Sequence, residues 1–205
     1  MIHTYYDKQG IERAYDIFRT RGFSPNWIIS GVKNQNVSMA SLAPFLRTLL
    51  VTDGTVTKSL EAYYWERVSV EMVSQASIAA EANINWLDVS LGDEVVGRRV
   101  NLRGTMTKTV YAHAFSIIRP NLIPELLRNR LLAGSLGIGE LIRDCGLETY
   151  RELLEIGFGD SITGFGETAD VQEEHVYRTY RIVLNQQPAI LVTEHFPLAV
   201  FGVAR

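Results

Sequence analysis

Cysteine is nearly absent from this sequence, which has 205 residues and a single thiol at Cys145. One cysteine excludes an internal disulfide and any metal site built from a cluster of cysteines. Cys145 directly precedes Gly146, a pattern typical of the end of a helix. We therefore interpret Cys145 as a structural thiol rather than as a nucleophile.

The sequence also lacks an excess of basic charge and a long apolar run. Lysine and arginine number 20 against 23 aspartates and glutamates, which gives a net charge of -3 and no basic surface typical of nucleic-acid binding. No apolar stretch approaches the roughly twenty residues of a transmembrane helix, and the polar residues 1–8 lack the apolar core of a signal peptide. We therefore predict a cytoplasmic protein without nucleic-acid or membrane partners.

What the sequence does contain is an ordinary globular composition, 46% hydrophobic and 21% charged, which at this length fits one domain. Apolar residues at helical spacing predict helices at residues 7–22, from Ser41 to residue 53, and after Asn121. Period-two alternation predicts strands at residues 67–73, 95–103 and 110–118, and a hairpin of residues 176–184 and 189–196. The predicted fold class is α+β, a single antiparallel β-sheet with helices covering one face.

Three other segments have less regular patterns. The threonines and serine of residues 55–61 favour a turn over a helix. Residues 148–154 are predicted to be helical, and the glycines of residues 157–166 predict a loop. The chain shows no βαβ alternation and no internal repeat, which agrees with an antiparallel sheet.

Two charged residues interrupt the apolar faces of predicted strands. Glu194 alternates in phase with Ile190, Val192 and Phe196, so it is either a buried carboxyl that is protonated or paired with a cation, or a strand-end residue that faces water. Arg98 shares a face with apolar neighbours in the same way, and it either meets an acidic partner or ligand, or extends to the edge of the sheet.

His113 lies in the middle of a predicted strand. No histidine, aspartate or glutamate stands near it at the spacing of metal ligands. We therefore interpret it as a packed or hydrogen-bonded strand residue, and we predict no metal site.

Four short motifs carry a resemblance to a known family. They are the residues 193–196 (TEHF) after the hairpin, 50–60 (LVTDGTVTKSL), 98–104 (RRVNLRG) and 136–139 (LGIG). With them the chain resembles the chorismate pyruvate-lyase family, and more closely its bacterial 4-hydroxybenzoate synthases. The likeness runs from about residue 46 to residue 201. We therefore predict a helical N-terminal extension at residues 1–40 and a chorismate lyase-like α+β domain at residues 41–205.

The resemblance implies a fold in which helical flaps close over a site on an antiparallel sheet. It also implies an enzyme that removes pyruvate from chorismate to leave a hydroxybenzoate, with chorismate or a related acid as its small-molecule partner and with no metal or cofactor. By motif position, Arg98 would bind the ring carboxylate, and Glu194 would contact the hydroxyl end and handle the proton. Val56 and Ile138 match positions that contact the ligand.

Other positions bear on the second carboxylate of chorismate and on which isomer of hydroxybenzoate is formed. Arg178 and Arg181 match basic positions of the family, but they lie on opposite faces of one strand, so at most one of them reaches the pocket. Phe115 stands where relatives carry a polar or charged residue, and Gly137 replaces an expected proline. We interpret Phe115 as a substrate-binding residue, because a bulky side chain there would reshape the pocket for a different hydroxybenzoate isomer.

Two other functions remain open from the sequence. The same fold occurs in effector-binding domains of transcription regulators, so a non-catalytic domain that binds an aromatic acid is one alternative. The sequence shows no attached DNA-reading helix-turn-helix, which argues against a complete regulator. The other alternative is a related eliminase or cyclase that uses the same Glu194 on another acid.

Overall fold

A computed structural model describes residues 2–6, 27–31, 36–132, 136–162 and 171–202. The predicted helix at residues 7–22 lies outside this described part. The strands are β1 Ile28–Ser30, β2 Asn36–Ser38, β3 Val68–Ala79, β4 Glu94–Gly104, β5 Val110–Ile118, β6 Thr149–Ile162, β7 Val171–Leu184 and β8 Gln187–Pro197. The α-helices are α1 Pro44–Val51, α2 Val56–Tyr64, α3 Glu125–Leu132, α4 Ile138–Asp144 and α5 Leu198–Phe201. Short 3-10 turns are formed by Ile2–Tyr5, Met39–Ser41, Asn85–Leu87 and Pro120–Leu122.

The central feature is a six-stranded sheet in the order β3-β4-β5-β8-β7-β6, in which every neighbouring pair is antiparallel. The predicted α+β class is therefore confirmed. A separate pair is formed by β1 and β2, and Gly31 bridges to Phe158 of β6. Because β8 joins β5 to β7, the C-terminal hairpin completes the middle of the sheet.

Helices cover one face of this sheet in two groups. The first group, α1 and α2, buries Leu46, Leu49 and Leu60 against sheet residues that include Leu102 and Phe196. These three leucines are fully buried, and each such burial contributes about 1.5–3 kcal/mol. The second group, α3 and α4, packs apolar residues against the other end of the same face. The gap between the two groups lies over the middle of the sheet.

The reverse face carries a smaller apolar cluster. It includes Trp86 and Leu87 from a 3-10 turn, together with Phe115 and Leu191 from the sheet. Tyr5, near the start of the chain, is buried in this cluster. Described parts of the first forty residues thus pack on the sheet, and the proposed division of the chain at residue 40 stays a prediction.

Several local predictions are corrected. Residues 56–64 form α2 and not a turn, because Val56 and Leu60 are one helical turn apart and both are buried. Helix α1 begins at Pro44 with Ala43 in the N-cap position, so Ser41 is not the cap. The hairpin turn has two residues, Asn185 and Gln186, both with positive φ, and not four.

The largest correction concerns β6, where residues 148–154 were expected to be helical and residues 157–166 to form a loop. Residues 149–162 instead pair with β7 along their length. A Cβ on Gly157 would lie 2.2 Å from the Tyr177 ring, and one on Gly159 would lie 2.7 Å from the His175 ring. These glycines therefore make room for cross-strand rings, while residues 163–166 of the expected loop lie outside the described residues.

No helix in the described ranges combines the length and the apolar character that crossing a membrane requires. The cytoplasmic location stays a prediction.

Candidate active site

A cavity lies on the helix-covered face, where the two helical groups leave the middle of the sheet. Its floor comes from β4, β5, β7 and β8, with β3 and β6 at its two sides, and its volume is about 60 Å³. Two segments close it from above. We call residues 52–57, which lead into α2, the first flap, and residues 136–140, which begin α4, the second flap.

Glu194 is the buried acid of this cavity, which Glu140 of the second flap also lines. It is 6% exposed, and it accepts a hydrogen bond on Oε2 from Nε of Arg178 at 2.8 Å and one on Oε1 from the Tyr180 hydroxyl at 3.3 Å. Arg178 stands directly opposite Glu194 in the ladder between β7 and β8. Of the alternatives left by the sequence, the structure has the buried carboxylate paired with a cation, because a charge removed from water requires a partner.

Arg178 joins Glu194 to the first flap. Its Nη1 donates to the carbonyl oxygen of Thr52, and its guanidinium lies 4.9 Å from the centre of the Tyr180 ring. Arg178 is 1% exposed, and it is not among the residues that line the cavity. Arg178 therefore holds Glu194 and the first flap without lining the cavity itself.

Arg98 is the cation at the other end of the cavity floor. It is 2% exposed, and its Nη2 donates to the carbonyl oxygen of Leu136 in the second flap at 2.8 Å. Its Nε is buried and has no hydrogen-bond partner among the described residues. Burial lowers the pKa of Arg98 to about 10, so the guanidinium stays charged at neutral pH. A buried charge whose partner in the described chain is a carbonyl dipole is suited to an incoming anion.

A second cation, Arg151 on β6, also lines the cavity. Its Nη1 donates to the carbonyl oxygen of Asp53 in the first flap at 2.7 Å, and its buried Nε has no partner among the described residues. The sequence reasoning missed Arg151, because residues 148–154 were read as a helix. Strand alternation would have placed Arg151 and Leu153 on the helix-covered face and Glu152 on the reverse face.

The remaining predicted site residues divide between the two faces of the sheet. Val56 and Ile138 line the cavity from the first and second flap, and Gly137 lines it beside Ile138. Phe115 and Arg181 point to the reverse face, which corrects the expectation that they contact the substrate. Phe115 stacks on Tyr5 at 6.2 Å between ring centres, and Arg181 pairs with Glu152 at 2.7 Å.

Small residues form the centre of the floor. Ala114 and Ser116 lie on β5 between Arg98 on one side and the strand of Glu194 on the other, and both line the cavity. Neither side chain is large enough to fill the space above the sheet. The floor therefore offers a flat surface between a cation and a carboxylate.

An open cleft of about 670 Å³ adjoins the cavity. Both spaces share Thr55 and Thr57 of the first flap and Glu140 of the second flap. The cleft is lined by cations and carboxylates in equal number, namely Lys58, Arg67, Arg143, Glu61, Glu66 and Glu140. It gives a route from solvent to the flaps.

His113 has the structural role expected from the sequence. It is buried on the reverse face, where its Nδ1 bonds Oδ1 of Asn101 at 2.8 Å. Across the described ranges, no cluster of three or more histidine, cysteine, aspartate or glutamate side chains is arranged to hold a metal ion.

Comparison with known proteins finds one family that matches most of the chain. The family model of the Rv2949c-like chorismate pyruvate-lyases matches residues 50–203. A chorismate pyruvate-lyase of Mycobacterium leprae is 28% identical over 158 residues, which cover 76% of this chain and 75% of that protein. One from Mycobacterium tuberculosis strain H37Rv is 27% identical over 165 residues, 76% of this chain and 81% of its own.

Solved structures resemble the fold at lower sequence identity. The effector domain of PhnF from Mycobacterium smegmatis superposes with a TM-score of 0.52 at 12% identity, over 72% of this chain and 90% of its own. This likeness concerns the fold alone.

Proposed function

The chain belongs to the Rv2949c-like family of chorismate pyruvate-lyases, and on that premise we propose that it converts chorismate to 4-hydroxybenzoate and pyruvate in the cavity between Arg98 and Glu194. The observation that carries this proposal is the pair itself. One sheet face presents a buried guanidinium with a free Nε and, across the small residues of β5, a buried carboxylate.

The spacing of the pair favours the 4-isomer. Arg98 pairs with Ser116 on β5, and Ser116 pairs with Val192 on β8, two residues before Glu194. Standard sheet dimensions therefore put the Cα atoms of Arg98 and Glu194 about 12 Å from each other. In chorismate the ring carboxylate and the hydroxyl-bearing carbon C4 stand at opposite ends of the ring. With the carboxylate on Arg98, C4 comes to lie at Glu194.

The reaction needs one proton to be moved. Loss of the C4 hydrogen as a proton leaves its electron pair to form the C3–C4 double bond, while the bond from C3 to the ether oxygen breaks. The ring becomes aromatic, and the departing enolpyruvate takes a proton on its methylene carbon to become pyruvate. In this proposal Glu194, whose Oε2 accepts a hydrogen bond from Arg178, accepts the first proton and returns it to the enolpyruvate. The reaction involves no net oxidation, so we propose that it proceeds without a cofactor.

Chorismate carries a second carboxylate on its enolpyruvyl group, and we assign that group to Arg151. Of the three arginines on β6 and β7, Arg181 faces the reverse side. Arg178 and Arg151 each have a buried nitrogen without a partner among the described residues, Nη2 and Nε respectively, but only Arg151 lines the cavity. Two guanidinium groups then orient a dianion by both of its ends.

The test is an incubation of the purified protein with chorismate, in which pyruvate is measured by a coupled assay and the aromatic product by chromatography. Glu194→Gln should lower kcat by about 10²–10⁴-fold, because it removes the proton acceptor. Arg98→Ala should chiefly raise KM.

The matched control is Glu152→Gln. Glu152 is also a buried carboxylate paired with an arginine on β7, but it lies on the reverse face. The Glu152→Gln variant should lose about as much stability as Glu194→Gln does, and it should keep the wild-type kcat. If both glutamine variants retain wild-type kinetics, the site is wrongly assigned.

The same incubation tests the binding-domain alternative and the isomer of the product. If neither product forms and 4-hydroxybenzoate only raises the melting temperature, the chain acts as a binding domain. If pyruvate appears with another hydroxybenzoate, the lyase stands and the para arrangement is wrong.

A further inference from the structure

We propose that the Tyr180 hydroxyl is a positioning group of the active site, which fixes the carboxylate plane of Glu194 and aims Oε1 into the cavity. This inference rests on the proposed lyase function. Neither the family motifs nor the alternation of the strands points to Tyr180.

Arg178 and Tyr180 both donate hydrogen bonds to the carboxylate of Glu194. Arg178 and Tyr180 are two residues apart on β7, so their side chains leave the same face of the strand. Arg178 donates to Oε2 of Glu194 at 2.8 Å, and Tyr180 donates to Oε1 at 3.3 Å. Rotation about the terminal torsion of a glutamate is soft, so one donor leaves the carboxylate plane variable, whereas donors on both oxygens define it.

The next question is which oxygen of the Glu194 carboxylate faces the substrate. Tyr180 and Glu194 both line the cavity, whereas Arg178 does not. Because Tyr180 lines the cavity and Arg178 does not, we infer that Oε1, the oxygen bonded to Tyr180, is the one that meets the substrate. A proton from C4 of the substrate would be taken by Oε1.

Tyr180 acts only as a hydrogen-bond donor to Glu194. Its side chain is 9% exposed, and its ring is held against the Arg178 guanidinium. Burial, with the nearby charge of Glu194, raises the pKa of Tyr180 well above its usual value, so the phenol keeps its proton. A neutral donor stabilises the carboxylate before proton transfer and yields its hydrogen bond when Oε1 becomes protonated.

Three other charged groups line the same cavity as Glu194. They are Arg98 on β4, Arg151 on β6, and Glu140 at the start of α4. None of them forms a hydrogen bond to Glu194 among the described contacts, so Arg178 and Tyr180 are its two direct donors.

The variant Tyr180→Phe removes only the hydroxyl and keeps the ring against Arg178. We expect kcat to fall about tenfold or more, with KM changed by less than about threefold, because the lost hydrogen bond concerns the reacting oxygen and not the anion contacts. The acidic limb of the pH dependence of kcat/KM should move to higher pH, since a carboxylate with one donor fewer is protonated more easily.

The matched control is Tyr177→Phe. Tyr177 is on the same strand and is partly buried, but it faces the reverse side, where its hydroxyl donates to Glu155 at 3.4 Å. We expect this variant to lower the melting temperature without moving the pH profile. Within the pH range in which both variants stay folded, the position of the acidic limb does not depend on stability, so over that range it separates positioning from stability.

The outcomes are distinct. A wild-type protein that releases no pyruvate from chorismate contradicts the lyase, and the role of Tyr180 is overturned with it. An active wild type whose Tyr180→Phe variant keeps kcat and the acidic limb unchanged contradicts the role of Tyr180 alone. A fall in kcat shared equally by both phenylalanine variants, with unmoved pH profiles, would also overturn it, because the effect would then be one of stability.

Discussion

Mild acid should destabilise this protein through three histidines on the reverse face of the sheet. His113 and His195 are directly paired across β5 and β8, and His175 on β7 lies 4.8 Å from His195 between ring centres. Burial, together with the mutual proximity of the rings, lowers the pKa of His113 to about 4 and that of His195 to about 3. Burial also lowers the pKa of His175.

The magnitude follows from proton linkage. In the unfolded chain each histidine has a pKa of about 6.5, so it takes up a proton between pH 7 and pH 5 while the folded protein keeps the ring neutral. The stability from each group is therefore present above pH 6.5 and is lost as the pH falls towards the folded pKa. From pH 7 to pH 5 this amounts to about 2 kcal/mol for His113 and about 2 kcal/mol for His195. A loss of about 4 kcal/mol is a large part of the roughly 5–15 kcal/mol of a typical domain.

Urea unfolding at pH 7 and pH 5 measures this loss directly. The variant His195→Gln stays neutral at both values, so the difference in unfolding free energy between them should shrink by about 2 kcal/mol relative to wild type. His3→Gln is the control, because His3 is exposed and lies outside the buried cluster, so this variant should keep the acid sensitivity that the three buried histidines confer. Equal wild-type stability at the two pH values, or a His195→Gln variant as acid-sensitive as wild type, would refute the reasoning.

Three shorter predictions concern packing. Phe115→Leu should keep both turnover and product isomer, since the ring packs on Tyr5 away from the cavity, and a changed isomer by chromatography would contradict this. Gly157→Ala should destabilise the fold by about 1–3 kcal/mol in urea, because the new Cβ would lie 2.2 Å from the Tyr177 ring. Adding Tyr177→Leu should restore part of that loss, and strictly additive losses would count against the contact. Ala114→Leu should place a side chain on the cavity floor and abolish calorimetric binding of 4-hydroxybenzoate while the melting transition remains cooperative.

The sequence located Arg98 and Glu194 because both lie in strands, where a period of two assigns each residue to a face. It did not reveal the partner of Glu194, since pairing between strands depends on register. The structure has a bulge between Ile182 and Val183 that shifts the register of β7 against β8 by one residue. Without it Arg178 would stand opposite Thr193. Such a bulge leaves no mark in the pattern of apolar residues.

Arg151 was missed for a different reason. Its neighbours Glu152, Leu153 and Leu154 are all good helix formers, so local preference favoured a helix. The ladder with β7 reverses that preference, because it buries Leu154 and pairs Glu152 with Arg181. Tertiary contacts of this kind are not encoded in any short window of the sequence, and so one side of the cavity was not predictable.

The size of the cavity leads to a last prediction about the flaps. About 60 Å³ is well below the roughly 300 Å³ of small-ligand sites, so residues 52–57 and 136–140 have to move before chorismate enters. Arg98 donates to the carbonyl oxygen of Leu136 in the second flap, and Arg151 donates to that of Asp53 in the first flap. In the proposed complex the same two guanidinium groups bind the carboxylates of the substrate. Entry therefore exchanges contacts to the flaps for contacts to the ligand. In stopped-flow mixing with 4-hydroxybenzoate, the observed rate should level off at high ligand concentration, because flap movement limits it. A rate that rises linearly throughout, with a typical association constant of about 10⁵–10⁷ M⁻¹s⁻¹, would show that no such movement is needed.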